Sequence, residues 1–128
     1  MANAGPIWNP PEWIDYGGRH FPNRSLSWRI VVQSTGERKG VAKYHLDMTR
    51  ALIERVEMEC LGDQGHEILP HPKPNVRMFW RELPDLGFPV GASIGRETTY
   101  IYVEYNCSGP VHGRPITLEE LRVKGADL

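Results

Sequence analysis

Trp28, Ile30 and Val32 alternate with Arg29, Val31 and Gln33, a period of two that predicts a β-strand over residues 27–33. The polar run Ser34-Thr35-Gly36-Glu37-Arg38-Lys39-Gly40 predicts a turn, and Val41 to His45 a short returning strand. The period then lengthens. Met48, Leu52, Val56 and Cys60 stand four apart, Ala51 and Ile53 widen the stripe, and Glu54, Arg55, Glu57 and Glu59 fall mostly on the other side. That spacing predicts an amphipathic helix, started by Asp47 or Thr49 as N-cap and closed at Gly62 by a left-handed C-cap.

Residues 62–75 carry prolines at the alternate positions 70, 72 and 74 and predict an extended connection. Val76, Met78 and Trp80 then alternate with Arg77, Phe79 and Arg81, a strand that Pro84 ends. Residues 87–95 and Thr98 to Tyr105 suit a hairpin turning near Gly95-Arg96-Glu97. In its second strand Ile101, Val103 and Tyr105 make an apolar face, while Tyr100, Tyr102 and Glu104 make an amphipathic one. After a turn at Asn106-Cys107-Ser108-Gly109-Pro110, Thr117 and Glu120 form a capping box that opens a short C-terminal helix.

The first 26 residues are different. Pro6, Pro10, Pro11, Pro22 and Gly17-Gly18 exclude a long helix or central strand, yet Ile7, Trp8, Trp13, Ile14, Tyr16 and Phe21 would be costly to leave in water. Residues 1–26 are therefore expected to be an irregular arm packed on the domain or on a partner, and residues 27–128 a single α+β domain. The expected fold is a mostly antiparallel sheet of about four strands with one main helix and a short C-terminal one.

Composition narrows the functional classes. Hydrophobic residues make up 40% and charged residues 24% of 128 residues, values of an ordinary globular chain with room for one core. With 15 Lys+Arg against 16 Asp+Glu there is no global positive field, so nucleic-acid binding is less expected than binding to protein. The start, MANAGPIWNPPEW, lacks the basic and apolar regions of a signal peptide, and no apolar run approaches a membrane span, so a cytoplasmic location away from membranes is expected. The triplets Asn23-Arg24-Ser25 and Asn106-Cys107-Ser108 then have no glycosylation role. Cys60 and Cys107 are too few for a disulfide scaffold and are expected reduced, Cys60 as a buried thiol of the helix stripe.

Several motifs dissolve on inspection. Gly91-Ala92-Ser93-Ile94-Gly95 has the wording of a nucleophile elbow, but a turn and a β-forming segment follow where a helix is needed. His66-Glu67 meets Pro70 and His71 instead of a second histidine on one helix face. Cys60, His66, His71, Cys107 and His112 include enough zinc ligands, but no tight Cys pair, so no metal is expected. The glycine-rich nucleotide cradles are absent, and no cofactor is expected.

Two functional readings remain. Trp8, Trp13, Tyr16, Arg77, Trp80, Arg81, Tyr100 and Tyr102 are the residue types enriched at protein interfaces, which suggests a module (regulator, inhibitor, immunity-type or accessory protein) that binds another chain or itself. The alternative is a small metal-independent hydrolase or ribonuclease centred on Cys107, His112 and Arg114, with Glu104 in support. A thiol or imidazole would act there as nucleophile, acid or base, and the guanidinium on the anion.

Overall fold

The computed structural model describes residues 5–128; the first four residues of the N-terminal arm lie outside the described residues. The elements, in chain order, are β1 (Glu12–Trp13), α1 (Trp28–Thr35), β2 (Lys43–Tyr44), α2 (Arg50–Glu59), β3 (His66–Glu67), β4 (Val76–Glu82), β5 (Gly91–Ser93), β6 (Arg96–Thr98), β7 (Tyr100–Asn106), β8 (Pro110–Ile116) and α3 (Leu118–Val123). A 3-10 turn covers Tyr16–Gly18. The chain is of α+β type, with one sheet in the order β1-β8-β7-β4-β3 and a second in the order β2-β5-β6. Among the described residues only the β1–β8 pairing is parallel.

Four expectations are corrected. A sheet of about four strands with two helices becomes, among the described residues, two sheets, of five and three strands, with three α-helices. The expected strand 27–33 is helix α1: the Ser27 hydroxyl caps the Ile30 amide, and Val31 and Thr35, four apart, are its buried positions. Apolar groups at 28, 30, 31 and 32 satisfy either period over so short a window, and the cap with its tertiary packing decides for helix. The hairpin lies within β5 and β6, turning at Ile94-Gly95, while β7 pairs instead with β4 and β8. Helix α2 starts after Thr49 as expected, but it ends at Glu59 with Cys60 as a right-handed cap rather than at Gly62. The glycine this turn requires is Gly65, where a Cβ would stand 1.8 Å from the Cys60 carbonyl oxygen.

The large sheet is covered on both faces. On one, Phe79, Ile101, Val103, Tyr105 and Val111 meet Ile53, Val56 and Cys60 of α2, with Tyr44, Met48, Leu83 and Val90 closing the core. On the other, Met78, Tyr102 and Ile116 pack against Ile68 and against Leu121 of α3. The capping box expected at Thr117 and Glu120 is present and starts α3 directly off β8. That short helix covers only part of its face and leaves the adjoining ends of β7 and β8 open.

The segment before α1 runs along β8. Asn9 donates its amide to Cys107, Glu12 to Gly109 and Ile14 to Val111, each at 2.9 Å. Trp8 meets Tyr105 edge-on at 5.1 Å, and the Tyr105 hydroxyl donates to the Asn9 carbonyl. Backbone pairing covers the β8 edge in this stretch, while the indoles of Trp8 and Trp13 add to the main core. No helix among the described residues is long and apolar enough to cross a membrane.

Candidate functional site

Strand alternation and register assemble a four-residue polar patch where α3 leaves the sheet open. In the β7–β8 ladder Tyr102 lies opposite Arg114, and Glu104 opposite His112. Residues two apart share a face, so all four side chains rise together. They form one wall of a cleft of about 440 Å³, to which Tyr16, Arg19 and His20, Thr35 of α1, Ser93 of β5 and Glu120 of α3 also contribute.

The patch is internally connected. Tyr102 donates its hydroxyl to Glu104 Oε2 at 2.6 Å, and Glu104 Oε1 lies 3.9 Å from His112 Nε2. The Arg114 guanidinium lies over the Tyr102 ring at 5.4 Å, and Glu120 Oε2 lies 3.7 Å from Arg114 Nη1. Lys124 approaches the same ring at 4.7 Å. Burial lowers the His112 pKa; the Glu104 charge opposes that shift and the Arg114 charge adds to it. Burial, reinforced by the bond to Glu104, raises the Tyr102 pKa, so this phenol keeps its proton and orients the carboxylate.

His20 is the second imidazole. It is 8% exposed and lies 2.8 Å through Nδ1 from the Ala42 carbonyl oxygen, which can only accept, so Nδ1 carries the proton and Nε2 is left as an acceptor. Burial lowers its pKa to about 4 against the pull of that hydrogen bond, and the Arg114 charge lowers it further. His20 is thus neutral near pH 7.

The strand that carries His112 and Arg114 is held from beneath. Gly113, between them, faces the opposite side, where the Glu57 carboxylate of α2 receives its amide together with Trp13 Nε1 at 2.7 Å and the Tyr44 hydroxyl. A Cβ at position 113 would lie 2.7 Å from the Tyr102 carbonyl oxygen and 2.8 Å from Glu57 Cδ. Gly113→Ala is therefore expected to destabilise the protein by about 1–3 kcal/mol, read by urea unfolding. An unchanged unfolding midpoint would show that the carboxylate yields freely.

The structure places the candidates unequally. His112 and Arg114 share the cleft, whereas Cys107 sits in the β7–β8 turn, its amide donated to Asn75 and its carbonyl receiving Asn9, and does not line it. Tyr16 and Tyr102 also line the cleft. Trp80 stacks on His66 at 4.5 Å and approaches Tyr100 at 6.1 Å, on the same sheet face but beside the other flank of α3. Arg77 and Arg81 point to the opposite face, Arg77 in a two-pronged pair with Glu67 at 2.8 and 2.9 Å and Arg81 3.2 Å from Glu59. Trp8 and Trp13 line the core. The eight interface candidates thus do not form one surface.

Cys60 is buried as a free thiol, with its pKa pushed up to about 12 by burial. Gly91–Ser93 is strand β5, whose Ser93 borders the cleft, and strand β6 rather than a helix follows it directly. Among the described residues no group of three or more His, Cys, Asp or Glu side chains is gathered for a metal ion. Glu57 and Glu120 carry only the patterns of a polar helix position and of a cap, and His20, among the prolines and glycines of the arm, carries no pattern at all. His112 and Arg114 at i, i+2 are the signal that would have placed the two on one strand face.

No family model, curated protein or solved structure matches the chain.

Proposed function

We propose that the cleft cleaves RNA without a metal, using the 2′-hydroxyl of the substrate as nucleophile. The observation that carries this reading is the cross-strand patch of Glu104, His112, Arg114 and Tyr102 on one open sheet face. Phosphodiester transfer needs a base, an acid and a fixed cation for the charge on the non-bridging oxygens, and the patch supplies each. Glu104, oriented by Tyr102, takes the proton from the 2′-hydroxyl. The O2′–P bond forms as the P–O5′ bond breaks, and protonated His112 delivers a proton to O5′. Arg114, steadied by Glu120, holds the phosphoryl oxygens. The products are a 2′,3′-cyclic phosphate and a free 5′-hydroxyl. His20, held through Nδ1 on the Ala42 carbonyl, serves as a fixed neutral acceptor in the wall.

The test is cleavage of a single-stranded RNA in excess chelator, beside DNA of the same sequence and the Arg114→Ala variant. RNA is expected to yield cyclic-phosphate ends, DNA to stay intact, and the variant to lose about 10²–10³-fold in rate. Equal cleavage of RNA and DNA, or an unaffected Arg114→Ala variant, would refute the mechanism.

A second reading, docking of another protein chain, is favoured by the half-open aromatic group of His66, Trp80 and Tyr100. It uses a surface separate from the cleft, so a Trp80→Ala variant that loses a partner and keeps cleavage would separate the two. The described part of the arm, residues 5–26, serves the first reading as the element that brings Tyr16 and His20 to the cleft.

A further inference from the structure

Tyr16 is held over the acid of the cleft. Its ring stacks on His112 with centroids 4.6 Å apart and planes 19° apart, while the residue remains 51% exposed. One face of the phenol is thus against the imidazole and the other is open to solvent.

The backbone that presents this ring adopts conformations that L-residues avoid. Tyr16 has φ of 55°, and Gly17 and Gly18 follow at 69° and 74°. A bulky aromatic at positive φ costs on the order of 1–3 kcal/mol unless its surroundings impose it. The surroundings here do impose it: the Asp15 carboxylate accepts from the Gly17 amide at 3.0 Å and pairs with Arg50, and Gly18 donates to the Asp15 carbonyl at 3.1 Å. Trp13, bound to Glu57, and Ile14, bound to the Val111 carbonyl, anchor the chain just upstream. Tyr16 is therefore an exposed aromatic with a preset orientation, its strain not repaid by burial of its own ring.

We infer that Tyr16 is a base-stacking residue that makes the cleft specific for single-stranded RNA by receiving the nucleobase on the leaving, 3′ side of the scissile phosphate. This inference rests on the assignment of Glu104 and His112 as base and acid. The leaving O5′ belongs to the nucleotide nearest His112, and the aromatic ring stacked on His112 is that of Tyr16, whereas the Tyr102 ring is approached by Arg114 and Lys124. Stacking on an aromatic side chain tolerates any base, because each has a π-face, but it requires a base already free of a duplex stack. Arg19, three residues along the chain from Tyr16 and also lining the cleft, supplies a cation for the following phosphate.

The test uses a DNA strand containing one ribonucleotide, so that cleavage occurs at one bond, followed on its 3′ side by either a normal nucleotide or an abasic one. Wild type, Tyr16→Phe, Tyr16→Ala and His112→Ala are compared. Removing the base is expected to lower wild-type kcat/KM by roughly 5- to 150-fold, mainly through KM, the range measured when a base loses its aromatic partner. Tyr16→Phe should keep that discrimination. Tyr16→Ala should cut both strands alike, at the rate wild type shows on the abasic one, and annealing to a complement should suppress wild-type cleavage. A Tyr16→Ala variant that still discriminates, or a wild type that does not, overturns the stacking role while leaving the site intact. Cleavage at the wild-type rate in His112→Ala overturns the site and the stacking role with it. The wild-type comparison of the two strands needs no variant to fold.

Discussion

Replacing His112 by alanine is expected to lower RNA cleavage by about 10²–10⁴-fold, and Glu104→Gln by a similar factor, with little change in KM. Both side chains lie at the rim of the sheet face and are partly exposed, so neither truncation opens the core. The pH profile adds a signed test. Cleavage requires His112 protonated, and burial holds its pKa below the ordinary 6.5, so kcat/KM should fall as pH rises with a midpoint below 6.5. The two neighbouring charges act oppositely on this limb. Glu104 raises the imidazole pKa, so the residual activity of Glu104→Gln should have its alkaline limb at lower pH than wild type; Arg114 lowers it, so Arg114→Ala should have it at higher pH. A limb that ignores both substitutions would mean that another group donates the proton.

Much of this architecture was legible where the chemistry of the chain is locally unambiguous. The four-residue stripe of Met48, Leu52, Val56 and Cys60, the Thr117 capping box and the alternation in β4 and β7 each admit one periodicity, and each gives the expected element, although α2 stops at Glu59 and buries Glu57, which the stripe had put on its water side. Strand β8 did not declare itself because Pro110, Gly113 and Pro115 are residues that strands usually exclude. The pairing explains their tolerance. Strand β1 reaches only Pro110 and Val111, so beyond that point β8 has no second partner in its sheet and Pro115 removes no bond from an outer ladder. Gly113 is required by the carboxylate beneath it. The site was correspondingly half legible. His112 and Arg114 stood out by type, with Glu104 in support, but the pairing of Glu104 with His112 and of Tyr102 with Arg114 is a matter of register between strands, which no local pattern encodes. Cys107 was grouped with them by nearness in sequence, although the strand that begins at Pro110 carries them away from the turn.

Substituting Glu57 or His20 is expected to tilt the pH dependence of stability in opposite directions. Glu57 is 2% exposed, and burial raises its pKa from 4.5 to about 7, although Tyr44, Trp13 and the Gly113 amide all favour the charged form. A carboxyl with a raised folded pKa binds its proton more tightly in the folded state, so its contribution is greatest below pH 4.5 and is lost as pH rises to about 7. The difference amounts to about 3 kcal/mol. His20 has the opposite sign: its pKa falls from 6.5 to about 4, so its contribution is complete above 6.5 and is lost as pH drops towards 4. Its magnitude is again about 3 kcal/mol at most. Between roughly pH 4.5 and 6.5 the two slopes oppose each other, and the wild-type protein should be less sensitive to pH than either group alone would make it. Urea unfolding at several pH values resolves them when each variant is compared with wild type, because other titrating groups cancel. The stability of Glu57→Gln minus that of wild type should climb by about 3 kcal/mol from pH 4.5 to 7 and then level off. For His20→Gln the same difference should decline as pH rises from 4 to 6.5. The charged form of Glu57 is nonetheless the one that holds Trp13, Tyr44 and Gly113 together, so above pH 7 the tie under the cleft is strongest where the carboxylate costs the fold most. A Glu57→Gln protein that gains stability at pH 8 but loses cleavage would show that this buried charge orders the strand bearing His112 and Arg114. Equal activity at that pH would reduce Glu57 to packing.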